Sequence, residues 1–204
     1  MTPRGAFLAG LALLVLAVVP FAASTTAPSA TGGGGARCGV ERWPVKTLQD
    51  PRASEVNFRP QGTTVEALRE LPRPLSLGAR IRGVETTTYR ARAQLVEMKR
   101  EKDSDVHLVI ATLRNRRHTM IVEFPSSGCT LRASTSARRK MTAARRALAT
   151  ACGAAGGSFV RLTGTATVTG VGFFDFKHGQ RGVAPNAIEL HPALGFRSSD
   201  CRRE

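Results

Sequence analysis

From residue 86 the chain alternates between apolar and polar positions. Tyr89, Ala91, Ala93 and Leu95 are interleaved with Arg90, Arg92 and Gln94. A period of two sends successive side chains to opposite faces of an extended backbone, so a long first strand with one wet face is predicted. The charged stretch 99–105 reads as a turn, and 106–111 as a second strand with Val106, Leu108 and Ile110 inward. Residues 114–117 form a polar turn, and 119–124 a third strand ended by Pro125. After a loop carrying Cys129 the period lengthens. Over 138–152, Met141, Leu148 and Cys152 fall on one helical stripe, with Arg138, Arg139, Arg145 and Arg146 largely off it. Gly153, Gly156 and Gly157 stop that helix. Alternation returns at 159–168, where Val160, Leu162, Ala166 and Val168 oppose Arg161, Thr163, Thr165 and Thr167. A glycine-rich loop then runs to Asn186, and a last strand, 187–191, is capped by Pro192.

The predicted order is β-β-β-α-β-β, mainly β with one principal helix. It matches an OB-fold-like, five-stranded, partly open barrel, whose helix lies between the third and fourth strands. We assign residues 85–204 to this barrel. Residues 38–84 are Pro-rich, with scattered anchors at Val40, Trp43, Val45 and Leu48. One short helix is predicted there: Thr63-x-x-Glu66 resembles a capping box, Val65 and Leu68 share a face, and Pro72 ends the turn. This segment reads as an N-terminal extension packed on the barrel.

The first residues have a different character. Arg4 precedes an apolar run, 7–19, which is too short to cross a bilayer and is followed by Pro20 and the small residues Ala22, Ala23 and Ser24. Residues 1–24 are read as a cleaved signal peptide and 25–37, rich in Gly, Ser and Thr, as a flexible linker. A secreted, extracellular protein with no transmembrane segment in its mature chain is expected.

Charge adds a partner class. The 204 residues contain 30 Lys and Arg against 15 Asp and Glu, a formal net charge of +15. Removing residues 1–24 deletes Arg4 and no acid, leaving about +14. Such a surplus attracts polyanions: nucleic acid, anionic lipid or a cell-envelope polymer. The four cysteines, Cys38, Cys129, Cys152 and Cys201, are even in number, so two disulfides are expected from three connectivities. Cys129–Cys152 with Cys38–Cys201 is the favoured set. No pair has C-x2-4-C spacing, which disfavours zinc.

Four stretches carry a resemblance: 38–47 (CGVERWPVKT), 101–110 (EKDSDVHLVI), 119–125 (TMIVEFP) and 170–192 (GVGFFDFKHGQRGVAPNAIELHP). They resemble a group of uncharacterised exported bacterial proteins. The resemblance supports the domain reading and implies no activity.

In OB-folds, ligands lie across the second and third strands, between the loops that join strands one to two and four to five. In the latter loop, Phe174 and Phe176 are interleaved with Lys177, His178 and Arg181, followed by Asn186. Rings that stack bases and cations that hold phosphates suit single-stranded nucleic acid, so these six are candidate ligand-binding residues. If 101–107 is extended, Glu101, Asp103, Asp105 and His107 share a face. Asp103, Asp105 and His107 are then candidate ligands for a divalent metal. With Glu123, Glu189 and His191 they are candidate catalytic residues of a metal-dependent phosphodiesterase or nuclease. There is no G-x-S-x-G, no Walker loop and no dinucleotide fingerprint, so no cofactor is expected. The sequence favours a secreted, non-enzymatic binding module for an anionic partner. The alternatives are the metal-dependent phosphodiesterase and a structural protein of the cell envelope.

Overall fold

The computed structural model describes Met1 and residues 37–204. The signal peptide expected over 1–24 and nearly all of the linker expected over 25–37 lie outside the described residues. The elements in chain order are α1 (Trp43–Lys46), β1 (Asn57–Thr63), α2 (Val65–Arg69), β2 (Thr87–Arg100), β3 (Val106–Ala111), β4 (Thr119–Phe124), α3 (Thr135–Cys152), β5 (Val160–Thr163), β6 (Thr165–Phe174), β7 (Ile188–Arg197) and β8 (Arg202–Arg203).

Five strands close into a ring, β2-β3-β4-β7-β6 and back to β2. All neighbours are antiparallel except β4 and β7, which run parallel. That parallel seam is short, with Ile121 opposite Glu189 and Val122 opposite Leu190. The mainly-β, OB-fold-like barrel with one principal helix is therefore present, and its ring is closed rather than partly open. Its interior holds Val106, Leu108, Ile110, Met120, Val122 and Phe124, with Ile188 and Leu190 from β7. The far half of α3 packs into the same core through Ala144, Leu148 and Cys152. A second cluster joins Leu48 and Val56 to Ala137 and Met141 of α3 and to Val171.

Several boundaries differ from expectation, each for a local reason. Helix α3 starts three residues earlier, because the Ser134 hydroxyl accepts from the Ala137 amide. Helix α2 is capped by Thr64, not Thr63; the Thr64 hydroxyl accepts from Ala67 N–H. The single strand read over 159–168 is two, broken at Gly164. Gly164 has φ +97°, and a Cβ there would lie 2.3 Å from the Asp200 carbonyl, so only glycine fits. Strand β6 then continues through what reads as loop to Phe174. Glycines at 170 and 172 leave inward positions without side chains, so the alternation vanishes from the sequence while the strand persists. Strand β7 runs past Pro192 to Arg197; its pairing with β6 slips at that point, sparing the strand a donor that proline lacks. Strand β1 carries no apolar alternation, because most of its side chains are exposed; it pairs parallel with β2.

The disulfides are Cys38–Cys129 and Cys152–Cys201. The favoured pairing of Cys129 with Cys152 is incorrect. Cys152 is the last residue of an 18-residue helix and Cys129 lies before its start; the helix separates its ends by about 27 Å, whereas bridged Cα atoms lie about 6 Å apart, and the Cys38–Cys201 pairing falls with it. Each cysteine instead fastens one end of α3 to a distant segment.

Candidate functional site

The side chains of β3, β4 and β7 that point away from the barrel interior are not all apolar. His107, Glu123, Glu189 and His191 stand among them, and Asp105 opens β3. His107 and Glu123 are direct cross-strand partners, and Nδ1 lies 2.7 Å from Glu123 Oε1. The other ring nitrogen is 2.9 Å from the Arg181 carbonyl. On β7, His191 sits between two carboxylates, 3.5 Å from Asp105 and 3.8 Å from Glu189. These separations are long for hydrogen bonds, and among the described residues neither ring nitrogen has a hydrogen-bond partner, nor do Asp105 Oδ2 and Glu123 Oε2. The attraction around His191 is therefore mainly charge with charge.

This face is closed by the chain's own residues. Trp43 in α1 meets the His191 ring edge-on, with centroids 6.5 Å apart. Arg42 and Lys46 lie over the Phe173 ring, at 4.5 and 5.3 Å. Lys46 Nζ donates to Asp175 at 2.8 Å. Arg42 grips both oxygens of Glu85 and donates to the Phe174 carbonyl. Arg80, 2% exposed, bonds Asp50 and the Val45 and Glu85 carbonyls. From the other side the 175–187 loop folds onto β3. Gly182 has φ +82°, and a Cβ there would come within 2.5 Å of Val109 Cγ1. Asp105, His107, Glu123, Glu189 and His191 are consequently all buried.

Burial and charge compete at each titratable group. Burial opposes the charged form of His107, but the Glu123 carboxylate, with help from the Arg181 carbonyl, outweighs it and pushes the pKa up to about 9. His191 follows the same pattern: burial pulls down, Asp105 and Glu189 push up more strongly, and the result is about 9. Burial raises Glu189. Lys46 is raised, because Asp175, Glu189 and Glu123 together overcome its desolvation. His107 and His191 are therefore cations near neutral pH, enclosed on a face lined by carboxyl groups.

The sequence candidates divide accordingly. Asp105, His107, Glu123, Glu189 and His191 do come together. Asp103 does not: residues 101–105 form a turn, Asp103 Oδ1 accepts from the Asp105 amide, and its side chain lines an outer cleft. Asp103, Asp105 and His107 thus form no metal-ligand set. Among the described residues, Glu41, Asp175 and His178 do bring three ligand atoms within 4.8 Å of one another, but the Lys46 ammonium already occupies Asp175. Of the six candidate ligand-binding residues, Phe174 is buried at the end of β6 and offers no stacking face. Asn186 is structural, donating to the Leu68 and Leu71 carbonyls. Lys177 donates to the Pro185 carbonyl, His178 pairs with Glu41 at 3.0 Å, and Arg181 pairs with Glu97 at 2.9 Å and stacks on Phe159. Phe176 keeps about a third of its surface in solvent.

Sequence reasoning missed Arg42, Lys46, Arg80, Glu85 and Asp175, the residues that hold the cover down. Their ion-pair partners lie 30 to 129 positions away, and no local pattern marks them.

No model of a known protein family matches the chain, and no curated protein matches it either. Among solved structures it is similar to one described as an aspartyl-tRNA synthetase from Leishmania major Friedlin. The likeness has a TM-score of 0.38 and 9% identity, over 70% of this chain and 21% of that one. This chain thus spans about a fifth of that structure's length, and a likeness so distant carries no functional argument.

Proposed function

We propose that this protein is an exported, non-enzymatic binding module for an anionic partner. The observation that carries the reading is an asymmetry of burial. Six of the fifteen acids, Glu85, Glu97, Asp105, Glu123, Asp175 and Glu189, are buried, whereas among the described Lys and Arg residues Arg80 is buried and Arg42 has its side chain enclosed against Glu85. The solvent-facing surface is therefore more cationic than the formal charge of +15 implies. Two disulfides are in keeping with an oxidising destination. Among the described residues no helix is long and apolar enough to cross a membrane. The resemblance to exported bacterial proteins belongs to the same reading.

The test is titration of labelled oligothymidylate and heparin at a series of NaCl concentrations. Log affinity should fall linearly with log salt, because each neutralised phosphate releases counterions. Absence of binding to either polymer even at about 20 mM salt sinks the proposal. The convergence of Asp105, His107, Glu123, Glu189 and His191 favours a second reading, the metal-dependent phosphodiesterase. Against it stands the cover of residues 42–50, which keeps substrate from those side chains. Incubation with plasmid and RNA in Mg2+, Ca2+ or Mn2+ should leave both intact; cleavage abolished in His191→Gln would install the enzyme instead.

A further inference from the structure

Helix α3 is charged against its own dipole. A helix is ordinarily helped by acids in its first turn and bases in its last, because its N-terminus carries partial positive charge. Here neither is found: the first turn has no acid and the last turn no base. Arg138, Arg139 and Lys140 instead crowd just behind the N-terminus, and no acid occurs anywhere over 135–152. The i,i+4 ion pairs that stabilise exposed helices cannot form within it. Packing explains the buried stripe through Ala137, Met141, Ala144 and Leu148, but it says nothing of the opposite face.

On that outer face lies a groove of about 350 Å3, lined by Thr130, Thr135, Arg138, Arg139, Thr142 and Arg146 among others. No carboxylate lines it. Among the described residues Arg138, Arg139 and Arg146 have no ion pair or side-chain hydrogen bond, and all three are exposed. The contrast with their neighbour is sharp: Arg145 points inward and donates to the Phe124 and Ser104 carbonyls. Arg42, Arg52, Arg80 and Arg181 are likewise engaged with carboxylates.

We propose that this groove is where the anionic partner seats, and that it recognises a phosphodiester backbone. The inference rests on the anion-binding reading above and gives it a location away from the covered barrel face. Guanidinium forks match phosphate oxygens bidentately, and the exposed hydroxyls of Thr135 and Thr142 supply further donors; Thr130 is buried and its hydroxyl donates to the Ser127 carbonyl. Arg139 and Arg146, seven residues apart, are separated by about 10 Å along the helix, so more than one phosphate is engaged. Among the described residues no aromatic ring lines the groove, so bases are not stacked and binding is indifferent to sequence.

The experiment compares wild type with Arg138→Ala/Arg139→Ala/Arg146→Ala and a control, Arg90→Ala/Arg92→Ala/Arg114→Ala, which removes equal charge from exposed positions elsewhere. Probes are oligothymidylate, an abasic oligonucleotide of equal length, poly(glycerol phosphate) and polyglutamate. Wild type and control should bind the three phosphodiester polymers alike and polyglutamate more weakly. The groove variant should bind at least tenfold more weakly, and its salt slope should flatten by about 0.7 for each phosphate that it no longer neutralises. Polymer should also raise the melting temperature of wild type and not of the groove variant. Alanine favours helix and relieves the crowded cations, so that variant should itself melt no lower than wild type. Retained affinity in the groove variant overturns the location while leaving the anion-binding reading intact. Equal binding of polyglutamate overturns the phosphodiester preference. A marked gain for oligothymidylate over the abasic strand overturns backbone recognition. Failure of wild type to bind any polymer removes the underlying reading as well.

Discussion

Glu85 is wholly buried, and Arg42 meets both its oxygens, at 2.8 and 2.7 Å. Removing one partner of such a pair strands a charge in a poor solvent, which costs far more than the pair contributes. Arg42→Ala should therefore lower unfolding free energy by about 3–5 kcal/mol, read from urea denaturation. The histidines make a pH prediction. His107 and His191 both titrate near 9 in the folded chain against about 6.5 unfolded. A raised pKa stabilises the fold below the unfolded value, and that contribution is lost as pH climbs through the folded one. Glu189, raised by burial, acts with the same sign. The melting temperature should fall between about pH 6.5 and 9, and NMR titration should find both imidazoles still protonated in mildly alkaline buffer. A histidine titrating at its ordinary value would refute its ion pairing.

Helix α3 shows what local signals determine and what they leave open. Its stripe was legible at Met141, Leu148 and Cys152, and strands β3 and β4 were legible to the residue, because short apolar, β-branched runs there are bounded by polar turns and by Pro125. Its start was not, since Ser134 acts through a single side-chain hydrogen bond. Ser134→Ala should cost about 1 kcal/mol, measurable as a lower urea midpoint with unchanged m-value. The barrel's long final hairpin was obscured by Gly170, Gly172 and Pro192, residues that blank or interrupt a period without ending a strand. Parity grouped Glu101, Asp103, Asp105 and His107 on one face; Asp105 and His107 do meet Glu123, Glu189 and His191 there, and Asp103 does not, because the chain turns at Ser104, which has φ +74°. The cover over that face could not be read at all. It depends on pairings such as Arg42 with Glu85 and Lys46 with Asp175, which only the assembled barrel brings close.

At the scale of the whole molecule, a larger share of the carboxylates than of the cations is buried. A shell of like charge repels itself, and salt screens that repulsion within about 10 Å at 0.1 M. Melting temperature should accordingly rise by several degrees between about 20 mM and 300 mM NaCl, while affinity for polyanions falls over the same range. Opposite responses of stability and binding to one variable would be hard to explain with an evenly charged surface. A flat melting curve would mean that the exposed cations are too dispersed to act together.

The bridges join first cysteine to second and third to fourth, 91 and 49 positions apart. A polypeptide threaded N-terminus first into an oxidising space offers each thiol its proper mate before any competitor arrives. An oxidase that couples sulfurs in order of emergence would thus assemble the native set unaided, with no need for an isomerase to reshuffle them.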